Sequence, residues 1–399
     1  MTLKQTHQRF LMVTSFIALS AGTGMAVLIS AILFFIESNY QQSKLVALCS
    51  IVGQMACFLL ASFLGKMADS PQRIGHLQKF YLIGFMIVFL LASAAYVQWA
   101  SLYGLMLMFA VLMLIRLFDQ MVRMATVHDL VDPTQYSASN KILETVRQSI
   151  TFVSGGFALF FIQKDTVLWA CLLCCGCFLV ALILSVKLEN GHHTSGVTAK
   201  KADSVSLTWR TLAQEATFTH MMASLMPYAV VLSMNALYPK AFIETGAEPA
   251  FYAGLVVPYG LGALLGSGIR SQLDQCSFEC HLFLLLVVFV VAMIAFAYTN
   301  QAFILYGLIF IFAFCHASIR VRRNVELLLQ AQRGQIGQLN SFYEKIAIIL
   351  TVVLSLLATT LADALGLKFA ILLIAFSLGL SSLPFGLNWL KKAKLNILM

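Results

Sequence analysis

The sequence predicts an all-α integral membrane protein of twelve transmembrane helices in two pseudo-symmetric six-helix bundles. Three observations predict it. Hydrophobic residues fill 60% of 399 positions and charged residues only 11%, against about 25% charged in a soluble protein, so lipid must be the solvent for most of the surface. Apolar stretches of roughly 20 residues, one bilayer crossing each, recur twelve times along the chain. The second half also echoes the first. Phe35-Ile36-Glu37-Ser38 returns as Phe242-Ile243-Glu244-Thr245, Gly53 as Gly260, Leu102-Tyr103-Gly104-Leu105 as Leu305-Tyr306-Gly307-Leu308, and Asn140 with Glu144 as Asn340 with Glu344. The offset falls from 207 through 203 to 200, as after a duplication followed by small deletions.

The spans follow in order. Residues 10–36 form the first, longer than the core of a cleavable signal peptide and with no small-residue cleavage site behind it. The others are 45–64, 80–98, 101–123, 140–162, 167–187, 212–242, 249–268, 281–298, 301–321, 342–362 and 367–390. Glu189 to Ser206 is the one long polar stretch and separates spans six and seven. The expected domains are therefore a bundle over 1–188, a cytoplasmic linker over 189–208 and a second bundle over 209–399. With the N-terminus inside, only Lys44, Lys164, Lys240 and Lys368 of the 26 lysines and arginines fall on outer connections. This bias places both termini in the cytoplasm. It also accounts for the net charge of +9 through anionic inner-leaflet lipid, with no nucleic-acid partner.

Charges inside spans cost on the order of 2.5–3.5 kcal/mol each on insertion scales, so each calls for a reason. In span four, Arg116, Asp119, Gln120 and Arg123 share a stripe about 100° wide. Span ten mirrors it with His316, Arg320, Arg323 and Asn324, and span five opens on Asn140, Glu144, Arg147 and Thr151. Glu144 and Glu344 are placed to meet these arginines at the inner face, as a cytoplasmic gate or as a static pair. Arg123 and Arg323 lie near enough to the interface to snorkel; Arg116, His316 and Arg320 lie deeper and are candidates for a substrate cavity. Thr23, Gln54, Asn235 and Tyr238 are further mid-membrane polar candidates, with Tyr259 beside them. For a coupling proton the candidates are Asp119, whose flanking arginines hold it ionised unless they move, and Glu37 at the outer end of span one. Gly22, Gly24 and Gly262-x3-Gly266 suit close helix contacts, and Pro258 suits a kink.

Cys171, Cys174, Cys175 and Cys177 crowd span six, but helical spacing fans them around the axis, away from the tetrahedral set that zinc requires. No metal and no cofactor are expected. There is no GxSxG, HExxH or P-loop pattern. His128, Asp129 and Asp132 gather in a short inner loop without a nucleophile, so the chain is not read as an enzyme.

Between spans two and three the chain reads Gly65-Lys66-Met67-Ala68-Asp69-Ser70-Pro71-Gln72-Arg73. Here it resembles the major facilitator superfamily, whose signature at this place is Gly-x-x-x-Asp followed by basic residues. Gly65, Asp69 and Arg73 match; a second copy near Gly268 to Asp274 keeps Asp274 but has Arg270 where the glycine belongs. An aspartate beside a helix N-terminus can cap its free amides. From Arg123 to Gly156 the chain is similar to the drug and siderophore exporters of that superfamily, through Pro133, Ser139-Asn140, Glu144, Arg147-Gln148 and Gly155-Gly156. Arg116 stands where the family's fourth helix often carries a functional arginine. Two departures stand out: Ser154-Gly155-Gly156 lacks the family antiporter proline, and span one lacks a mid-membrane acid.

The resemblance implies a secondary active transporter working by alternating access, and proton-coupled export of a siderophore- or drug-like small molecule. It also implies that helices one and seven line the cavity, which favours Asn235 as a contact. Proton-coupled uptake of an organic anion or siderophore has the same topology. An intramembrane enzyme or non-transporting sensor is the alternative of another class. The expected partners are substrate, protons and the bilayer, for a monomer in a bacterial inner membrane.

Overall fold

A computed structural model describes residues 3–40, 43–96, 101–161, 166–192, 218–246, 254–268, 277–332 and 334–398. Twelve α-helices run through these residues. They are α1 (Leu3–Tyr40), α2 (Ser43–Ala68), α3 (Arg73–Tyr96), α4 (Leu102–Leu130), α5 (Tyr136–Phe161), α6 (Thr166–His192), α7 (Phe218–Glu244), α8 (Val256–Gly268), α9 (Phe278–Tyr298), α10 (Ala302–Gln330), α11 (Ile336–Ala364) and α12 (Leu367–Leu398). Among the described residues, nine helices are long and apolar enough to cross a membrane. Large apolar side chains stand exposed on their outer faces, Leu59 at 68% and Leu90 at 64% for example. In water that surface would be strongly unfavourable, in lipid it is the solvated face, and the chain is an integral membrane protein.

Several helices outrun their apolar segments. α4 continues to Leu130 where hydropathy ends near 123, α10 continues to Gln330 instead of 321, and α11 starts at Ile336 instead of 342. Hydropathy marks only the part of a helix that lipid surrounds. Polar residues such as Gln, Glu, Lys and Arg are good helix formers and carry the hydrogen-bond ladder onward. Where helices begin or end, local chemistry decides. Ser101 caps α4 by accepting from the Gly104 amide at 3.1 Å, and Ser277 caps α9 by accepting from Cys280 at 3.3 Å. Gly334 and Gly366, with φ of 75° and 96°, make the left-handed turns before α11 and α12. Pro258 falls in the first turn of α8, a position helices tolerate.

The chain packs as two compact units: residues 1–206 with 325–345, and residues 207–324 with 346–399. In the first unit α1 lies along α6 and α5, α3 lies between α6 and α4, and α2 lies along α4. A Cβ on Gly24 would meet the Cys177 Cβ at 2.7 Å and one on Gly22 would meet Ile150 at 2.6 Å, so α1 touches α6 and α5 through its glycines. In the second unit α9 and α7 pack on α12. Gly262 and Gly266 of α8 press against the backbone carbonyls of Phe310 and Phe314 in α10, with no room for a side chain. The first unit thus includes the end of α10 and the start of α11, beyond the 1–188 segment.

Candidate functional site

In the first unit, polar side chains concentrate at the end that carries the 69–72 turn. Asp69 accepts hydrogen bonds from the backbone amides of Gly337 at 2.7 Å and Gln338 at 3.0 Å. These are first-turn amides of α11, which have no partner within their own helix, and the carboxylate also meets the positive end of the helix dipole. The approach depends on two glycines: a Cβ on Gly65 would sit 2.6 Å from the Gly337 carbonyl, and one on Gly337 would collide with the Gly65 carbonyl. Burial raises the Asp69 carboxyl above its ordinary value, and the two amides, the Gln338 side chain and Arg73 offset only part of that shift. Arg73 forms an ion pair with Asp129 near the end of α4. Lys345 of α11 lies over the Phe58 ring of α2, 5.5 Å from its centroid.

Higher on α4, the expected stripe divides. Asp119 is buried, pairs with Arg123 at 2.6 Å and accepts from the Tyr81 hydroxyl at 2.7 Å. Tyr81 is fully buried on α3 with its ring 5.9 Å from that of Phe178. Arg147 donates to Gln120 at 3.1 Å, linking α5 to α4, while Glu144 accepts from Gln148. Arg116 is exposed, so of the four stripe residues Asp119 and Arg123 close on each other and Arg116 stands apart. Thr23 is buried in α1, and Glu344 is half-buried in α11. The Gln54 side-chain oxygen is buried with no hydrogen-bond partner among the described residues. The Glu37 side chain lies outside the described residues.

The second unit gathers its polar groups on α10. His316 is buried and its Nδ1 stands 3.2 Å from the Tyr259 hydroxyl of α8. The Tyr228 ring of α7 lies 5.8 Å from the imidazole. Tyr259 rests against Ala263, Ala313 and Ala317, small residues that leave space for a phenol ring. Arg320 and Arg323 are buried, and Arg323 donates to the Ser224 carbonyl at 3.4 Å. His281 pairs with Ser318 at 3.2 Å. Tyr238 is buried beside Phe296, with its hydroxyl unpartnered among the described residues. Asn235 is exposed. Asp274, with the whole degraded second motif, lies outside the described residues.

The structure therefore unites Gly65, Asp69 and Arg73 with the α11 start and the α4 end, and sets His316, Tyr259 and Tyr228 together on the other unit. Tyr81 and Tyr228 escape sequence reasoning because their partners, Asp119 and His316, lie on other helices far along the chain. Gly337, one residue into α11 beside the polar Gln338, was a readable sign of a close approach.

No protein-family model matches the sequence, and no curated protein matches it by sequence. Solved structures do match. A bacterial homologue of the iron transporter ferroportin, in an outward-facing state, superposes with a TM-score of 0.77 at 16% identity, over 98% of this chain and 100% of that one. The human organic anion transporter MFSD10 (TETRAN) gives 0.77 at 11% identity, over 95% and 99%. The chain shares the fold of these transporters. An outward-facing ferroportin homologue soaked with iron gives 0.74 at 16% identity, over 94% and 98%. At these identities the likeness concerns the fold, and the site must be argued from this chain's own residues.

Proposed function

We propose that the protein is a secondary active transporter that moves a small organic anion across the membrane by alternating access, with export coupled to protons. The observation that carries the anion is the buried basic face of α10: His316, Arg320 and Arg323 are each at most 6% exposed. Burying cations in an apolar helix is costly and marks a functional surface. Arginine geometry suits carboxylates, and the same face would repel a metal cation. The organic anion named for the human neighbour fits this better than the iron named for the bacterial ones.

In this reading His316, Arg320 and Tyr238 are the substrate-binding candidates of the second unit, and Thr23, Gln54 and Arg116 those of the first. The Asp69 latch, with Gly65, Arg73 and Asp129, holds the cytoplasmic end. Asp119 is the coupling candidate whose proton affinity would change if Arg123 swung away. Siderophores bearing carboxylates and anionic drugs are the first compounds to try. The protein works as a monomer in a bacterial inner membrane with both termini in the cytoplasm.

The test is thermal stabilisation of the purified protein across panels of siderophores, drugs and organic acids, since a ligand that binds only the folded state raises its stability. Stabilisation by anions that disappears in Arg320→Gln supports the reading. Stabilisation confined to cationic compounds overturns it.

A further inference from the structure

His128 stands at the end of α4, buried, and its ring is held between two acceptors. Nε2 lies 3.0 Å from the carbonyl oxygen of Ala331, in the connection between α10 and α11. Nδ1 lies 3.6 Å from the Asp129 carboxylate and makes no hydrogen bond. Both groups facing the ring can only accept. A neutral imidazole carries one N–H, and its other nitrogen is a lone pair. With the proton on Nε2, the Ala331 bond forms and a lone pair faces the carboxylate. With the proton on Nδ1, the carboxylate is served and two lone pairs meet at 3.0 Å. The imidazolium, with two N–H donors, keeps the Ala331 bond and also turns an N–H toward the carboxylate, 3.6 Å away.

We propose that His128 is a proton-binding site that tightens the tie between the end of α4 and the turn into α11. The other groups around the ring do not compete for this role. Tyr136 stacks at 6.0 Å and its hydroxyl donates to the backbone carbonyl of His128 itself. Arg73 is engaged with the other oxygen of Asp129, so the carboxylate lies between the Arg73 guanidinium and the His128 ring. Ala331 lies six residues before Gly337, the first amide that Asp69 holds. Proton uptake by His128 therefore acts on the same segment as the Asp69 latch, through a separate carbonyl. Histidine is the side chain suited to respond within the physiological range. The proposal concerns the latch and stands apart from the identity of the substrate.

The test is hydrogen–deuterium exchange of the full-length protein in lipid nanodiscs, read on peptides covering residues 331–340 at about pH 5.5 and about pH 8.5. Dividing each rate by that of His128→Gln at the same pH removes the pH dependence of exchange chemistry. A charge-assisted pair gained at low pH predicts that protection relative to the variant rises at least about fivefold on acidification. Asp129→Ala, which removes one acceptor, serves as a second reference and is expected to lose this rise. A wild-type ratio that does not change with pH, against either variant, overturns the proposal. So does an undiminished rise in Asp129→Ala.

Discussion

Along α4, Asp119 sits one turn before Arg123, and the two close on each other while Tyr81 completes the carboxylate's partners. At the offset of 200 that pairs Asn140 with Asn340 (the start of α4 repeats at 203), α10 carries His316 for Arg116, Arg320 for Gln120, Arg323 for Arg123, and Ile319 in place of Asp119. No acid lies between His316 and Asn324. The arginine kept in both copies thus meets an aspartate in one and the Ser224 backbone carbonyl in the other. The stripe recurs in both helices while its partners differ. In the first copy Asp119 and Arg123 form a buried pair, and in the second buried basic residues gather with histidine and tyrosine close by. A carboxylate at Ile319 would cancel that face, so an apolar residue there suits the anion proposed as substrate.

Removing the acid that marks the difference has the largest expected effect. Asp119→Ala leaves Arg123 and the Tyr81 hydroxyl without their partner and is expected to cost about 3–5 kcal/mol, read as a lower unfolding midpoint in detergent. Arg323→Gln, its counterpart in α10, keeps an N–H for the Ser224 carbonyl and is expected to cost about 1 kcal/mol. Equal losses would erase the distinction between the two helices. The α8 seam that positions Tyr259 against α10 comes next. Gly262→Ala or Gly266→Ala drives a methyl into a backbone carbonyl and should cost about 1–3 kcal/mol. Gly379→Ala, with no atom within 4 Å of the new Cβ, should be neutral or gain up to about 1 kcal/mol.

The smallest effect concerns Asp69. Its carboxyl is raised by burial, so the folded latch holds a proton more tightly than the unfolded chain does. Its contribution is fully present below the ordinary carboxylate value and is lost as pH rises through the raised one. The stability of the wild type relative to Asp69→Asn should therefore fall as pH climbs from about 4 toward neutrality. A difference that grows over this range would mean that the two α11 amides outweigh burial.

Much of this is legible in the sequence. Twelve spans follow from apolar length alone, because lipid imposes one crossing per roughly 20 residues whatever the packing. The glycines of α1 and α8 are readable as close contacts and Asp69 as a capping acid, but not that the capped amides belong to α11, 268 residues further on. The α4 stripe was legible only as a stripe. Helical periodicity gives the angle of Asp119 and Arg116 about the axis, yet it cannot say which neighbour lies opposite. Tyr81 on α3 took the aspartate, and Arg116 was left exposed. His128 could be read only as a loop histidine, because its second partner is a backbone carbonyl 203 residues away.

Flux into sealed proteoliposomes, with purified protein and a panel of radiolabelled organic anions under an imposed proton gradient, tests the central claim most directly. The account predicts gradient-driven movement of at least one anion in the wild type, and its loss in an Arg320→Gln variant that still folds. Folded wild-type protein that moves no anion under either direction of gradient, or transport that survives Arg320→Gln unchanged, would contradict it.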